Sequence, residues 1–124
     1  MKIEVSTGEL IDKICILKIK QEKIRDEQKL EHITHELRIL NPLMEKTKLT
    51  FNSSEYRLLL AINKEMWELE NVIRFKEKQQ QFDDEFIHVA RQIYISNDKR
   101  AAAKKMINIK YGSEIIEEKE YSSY

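Results

Sequence analysis

The chain has 124 residues, the length of one domain, and its 22 basic and 22 acidic residues cancel. Two glycines and one proline leave almost no turn chemistry for a sandwich, a barrel or a glycine-rich phosphate loop, which points to helices. Zero net charge argues against duplex nucleic acid or an anionic bilayer as partner, because both reward a positive excess.

Residues 2–5 alternate apolar and polar, as a short strand or extended lead-in would. The beginning, Met1-Lys2-Ile3-Glu4, has no continuous apolar stretch, and the longest apolar run, Leu58 to Ile62, falls far short of the roughly 20 residues of a membrane span. The sequence is therefore read as cytoplasmic. Ser6-Thr7-Gly8-Glu9 has the spacing of a capping box, so a helix is expected to start there. Leu10, Ile14, Leu17 and Ile24, then Leu30, Ile33, Leu37 and Leu40, carry the helical period to Asn41-Pro42. A helix of that length outruns a compact domain, so the polar stretch Lys20 to Lys29 is either an exposed bend or the waist of a protruding arm, the arm being favoured. Cys15 sits among Ile14, Ile16 and Leu17, the setting of a small core hydrophobe.

Residues 41–53 read as a loop whose Leu43, Met44, Leu49 and Phe51 press onto the core. Leu59, Ile62, Met66, Leu69 and Ile73 then predict a helix from Ser54 to about residue 79, antiparallel to the first. Gln79-Gln80-Gln81 breaks it, Asp83 or Asp84 caps a third helix, and Asn97 caps a fourth ending near Tyr111-Gly112. The expected fold is all-α and four-helix-bundle-like over residues 1–124. It comprises a long antiparallel αα-hairpin, protruding over about residues 20–60, and two shorter helices. The two ends are given a short strand each or left loose.

Local charge is less even than the total. Residues 97–112 hold Lys99, Arg100, Lys104, Lys105 and Lys110 against Asp98, a net +4, and residues 113–124 hold four glutamates against Lys119, a net −3. On a helical wheel Asn97, Arg100, Lys104, Asn108 and Tyr111 share an arc of about 80°, and Asn63, Trp67, Glu70 and Arg74 one of about 60°. Guanidinium and ammonium groups neutralise a phosphate while amides orient it and an aromatic ring stacks on a base or sugar. Asp12 and Lys18 fall where burial is expected, so each needs a counter-charge or a route to the rim; Glu9, Arg91 and the acidic end are the candidates, in a structural ion-pair network. Glu65-x-x-Glu68, with Glu70, has the spacing that all-helical nucleotide pyrophosphohydrolases use for magnesium, without a second acidic pair to accompany it. His32 and His35 lack the pattern of a metal helix.

The set Ser6-x-Gly8-Glu9-Leu10-x-Asp12-Lys13, Trp67-x-x-Glu70, Arg74-x-Lys76-Glu77, Asn97-Asp98-x-Arg100-Ala101-x-x-Lys104-x-x-Ile107-Asn108 and Glu117-Glu118-Lys119-x-Tyr121 resembles a small uncharacterised all-helical family of bacterial and phage proteins. The resemblance spans the chain and implies no established activity; Asn71 stands where an acidic residue is expected.

Together these readings favour a non-catalytic protein that binds an anionic small molecule, a nucleotide or sugar-phosphate, in a pocket between the second and fourth helices. Trp67, Glu70, Arg74, Asn97, Arg100, Lys104, Asn108 and Tyr111 are its expected lining, with no metal, cofactor or catalytic residue. A homodimer through the protruding hairpin is expected. The alternatives are a protein-interaction module using that hairpin and a magnesium-dependent nucleotide phosphohydrolase.

Overall fold

A computed structural model describes residues 1–124 and contains four α-helices and no strand: α1 (Thr7–Lys23), α2 (Glu27–Glu45), α3 (Ser54–Lys78) and α4 (Asp84–Lys110). The all-α expectation holds, but the helices divide differently from the sequence reading.

The capping box opens α1: the Ser6 hydroxyl accepts from the Glu9 backbone N–H at 3.0 Å. The long first helix does not run to Asn41. It ends at Ile24, which turns to an extended conformation, and Asp26 caps α2 by accepting from the Lys29 N–H at 2.9 Å. An aspartate cap inside a polar stretch needs neither glycine nor proline, so the break has no strong punctuation in the sequence. Pro42 does not stop α2, which continues to Glu45 with the proline inside it. Met44 and Leu49 are buried as expected, whereas Leu43 and Phe51 remain exposed, Phe51 standing edge-on to Tyr56.

The two helices expected between residues 83 and 111 are one helix of 27 residues, the longest in the molecule. Asn97 is inside it and caps nothing. Ser96 is fully buried there, and packing of α4 along α3 overrides the weak helix preference of Ser96-Asn97. The last two helices are thus the longer pair and the first two the shorter.

α1 packs on all three other helices, and α2 packs on α1 alone. α1 and α4 run antiparallel: Gly8 meets Asn108 and Asp12 meets Arg100. Gly8 is needed for that approach, since a Cβ there lies 2.5 Å from the Lys104 carbonyl oxygen and 2.9 Å from Asn108 Oδ1. The core contains Ile11, Ile14, Cys15 and Leu17 of α1, Ile33, Leu37 and Met44 of α2, Leu59 and Ile62 of α3, and Ala103 and Ile107 of α4. Residues 2–5 and 113–124 lie in irregular backbone. The C-terminal segment instead meets the start of α1, where the Thr7 N–H donates to Ser113 Oγ at 3.0 Å and the Ser6 hydroxyl donates to Glu117.

Candidate functional site

Asp12 is 1% exposed on α1, and the wheel position that made its burial costly is answered from two other helices. Arg100 of α4 grips its carboxylate in a fork, with Nε donating to Oδ1 at 2.9 Å and Nη2 donating to Oδ2. Asn63 of α3 donates to Oδ1 at 2.8 Å and to the Leu59 carbonyl at 3.0 Å. Lys104 lies 4.0 Å from Oδ2 and donates to Glu9 at 2.5 Å. The hydrogen bonds to the Asp12 carboxylate hold the Arg100 guanidinium above its ordinary pKa. Arg91, one of the expected partners, forms no ion pair. Lys18 reaches the rim instead and stands over the Phe51 ring at 5.0 Å.

The exposed side of the same α4 face forms one wall of a groove of about 510 Å³, and the C-terminal segment forms the other. Asn97, Arg100, Lys104 and Asn108 line it, as the wheel groups them, joined by Lys105. Arg100 Nη1, the arm of the fork not engaged with Asp12, is 3.4 Å from Asn97 Oδ1. Asn108 is turned inward and accepts the Gly8 backbone N–H at 2.6 Å, which commits its oxygen to the fold. Across the groove Glu118 accepts from Lys105 through both oxygens, at 3.0 and 2.8 Å. Lys119 donates to Asp98 at 2.5 Å and the Tyr124 hydroxyl donates to Asp98 at 2.6 Å. Those two donors hold the Asp98 carboxyl below its usual range, the lysine more strongly. Glu117, Glu118 and Lys119 therefore belong to the site, and the net −3 of the C-terminal segment against the net +4 of residues 97–112 was the signal for them.

Trp67, Glu70 and Arg74 do not share this groove. They line a separate one of about 350 Å³ with Ile16, Ile19 and Asn63, on the α1 side of α3. Glu70 accepts from Arg74 Nε at 3.1 Å, the plain i,i+4 pair. Tyr111 lines neither groove, and its hydroxyl donates to Glu55 at 3.2 Å. The single pocket expected between the helices of Trp67 and Arg100 is thus two grooves. Asn63 joins them, because it lines the second and holds the carboxylate that holds Arg100.

The sequence as a whole matches a family model over residues 1–124, that of DUF6165, a family of unknown function. The chain belongs to this family. No curated protein and no solved structure matches it. The DUF6165 match agrees with the whole-chain resemblance in the sequence and adds no chemistry to the two grooves.

Other candidate chemistry finds no support in the geometry. No three His, Cys, Asp or Glu side chains gather closely enough to hold a metal ion; Glu68 pairs with Lys23 at 3.5 Å and Glu70 with Arg74. The Cys15 thiol is fully buried, and burial pushes its pKa up to about 12, the state of an unreactive core cysteine. No helix is long and apolar enough to cross a membrane.

Proposed function

We propose that the groove between α4 and the C-terminal segment binds an anionic small molecule of the nucleotide or sugar-phosphate class, without catalysis. The observation that carries this reading is the seat of Glu118: a carboxylate already sits on Lys105 in a groove that Arg100 also lines. A phosphate has the same charge sign and more acceptor oxygens, and it fits between an ammonium and a guanidinium pre-set by Asp12. Asn97 orients it, and Tyr121 and Tyr124 offer rings at the far end of the groove. Trp67, Glu70 and Arg74 drop out of this site because they line the other groove. The reading keeps the protein cytoplasmic, where such ligands are made, and takes from the family resemblance a bacterial or phage origin.

A thermal-shift panel of glucose 1-phosphate and adenosine diphosphate tests it. A ligand at 100 times its Kd stabilises the native state by about 2.7 kcal/mol. Lys105 is partly exposed and outside the Asp12 network, so Lys105→Ala leaves the fold intact and removes the response. No shift with either compound, or the same shift in Lys105→Ala, contradicts the reading.

A further inference from the structure

The C-terminal segment that walls the groove is held unlike any other part of the molecule. Beyond Ser113 it makes no backbone–backbone hydrogen bond, and residues 117–124 are all exposed. Its grip consists of side-chain contacts: Glu118 on Lys105, Lys119 and Tyr124 on Asp98, Ser6 on Glu117, and the edge of the Tyr124 ring on Tyr94 at 5.3 Å. Upstream the chain is anchored. Ser113 N–H donates to the Asn108 carbonyl at 2.8 Å, its hydroxyl is bound by the Thr7 N–H, and Ile115 is half-buried. A segment joined by exposed ion pairs and no ladder opens at little free-energy cost, and it opens about the point where anchoring stops.

We propose that residues 117–124 are an internal anionic ligand of the α4 face, a strap hinged at Ile115–Ile116 that an incoming phosphate displaces. This rests on the reading of the groove as an anion site and adds its regulation. Glu118 places its carboxylate where the ligand's oxygens go, so strap and ligand compete for Lys105, while Glu117 holds the strap down through Ser6. Only a ligand with more charge than the strap, or one offering the rings of Tyr121 and Tyr124 a partner, clears the face. Release of the strap uncovers Asp98 on α4 and frees Lys119 and Tyr124 from it, which gives the bound state a different surface from the free one.

The test is amide NMR on the 124-residue chain and on its E117Q/E118Q variant, titrated with inorganic pyrophosphate at constant ionic strength. Without ligand, the strap amides of the parent chain resonate as an ordered segment and those of E117Q/E118Q at unstructured positions. A parent strap already unstructured, or a strap unchanged in the variant, overturns the proposal and leaves the anion site untouched. With pyrophosphate, the amides of residues 97–108 shift in both chains, the parent strap moves to the unstructured positions, and the variant binds about threefold tighter, the effect of removing the one exposed ion pair of Glu118 and the hydrogen bond to Glu117. Equal affinity with an unmoved parent strap overturns the strap alone. A variant whose strap is free yet binds no pyrophosphate overturns the anion site itself.

Discussion

The Asp12 carboxylate is 1% exposed, so it depends on the three donors that reach it from α3 and α4. Removing the carboxylate strands the Arg100 fork and the Asn63 amide at once. Asp12→Ala is expected to destabilise the protein by about 3 kcal/mol, read as a shift in the urea midpoint, because a partly buried guanidinium is left uncompensated. A loss below about 1 kcal/mol, the level of an exposed pair, contradicts the role given to it. The need for a partner at Asp12 was legible, since on the wheel a charge stood among Cys15, Ile16 and Ile19. Which partner was not. Arg100 and Asn97 share a helix face whether that face turns to water or to α1, and a wheel drawn on one helix cannot show which neighbour it meets. Asn108 illustrates the same limit. It sits on the polar arc, yet its oxygen serves the Gly8 backbone instead of the groove.

Each helix is closed by local chemistry of uneven quality. Ser6, Asp26 and Asp83 cap α1, α2 and α4 through side-chain acceptors, while Ser53 precedes α3 without a side-chain cap bond. α3 ends with Gln80 at φ 56°, its N–H on the Glu77 carbonyl at 3.1 Å and that of Gln81 on Lys76 at 2.9 Å. This is the left-handed closure that glycine adopts without strain, and α4 uses Gly112 for it at φ 64°. Gln80→Gly is expected to raise stability by about 0.5–1 kcal/mol, measured by thermal unfolding; an unchanged or lower midpoint contradicts it. Capping signals located the starts of α1 and α4 because they are chemical and local. The break at residues 24–26 falls in the polar stretch that reads as either a bend or a continuous arm, with the arm preferred, and the sequence reading divides α4 at Asn97. Asp26 caps without glycine or proline, and a residue able to cap remains helical when α3 packs beside it.

Across the molecule, charge pairs tie the ends of the elements together. Lys76 is held by Asp83 at 3.1 Å and Glu85 at 3.2 Å where α3 turns into α4, and Glu55 joins the start of α3 to Lys110 and Tyr111 at the end of α4. The hydrogen bond from Lys110 holds the Glu55 carboxyl down from 4.5 to about 2. A carboxylate depressed in the folded state adds stability above its unfolded value, and that contribution is lost as the pH falls toward the folded one. The difference in melting temperature between the parent chain and Glu55→Gln is therefore expected to be constant above about pH 5 and to shrink as the pH drops from about 4.5 toward 2. A difference independent of pH across that window contradicts the pairing. At this scale the all-α class and the rough helix positions were legible from period and composition. The hub position of α1 was not, because every apolar stripe in the sequence looks equally ready to pack against any other.

Whether the α4 face takes a phosphate is decided by a crystal structure of the protein bound to glucose 1-phosphate. The expected result is phosphate oxygens at hydrogen-bond distance, about 2.7–3.2 Å, from Lys105 Nζ and Arg100 Nη1, with Glu118 displaced. A phosphate seated beside Trp67 and Arg74 instead, or an α4 face with Glu118 still on Lys105 at saturating ligand, contradicts it.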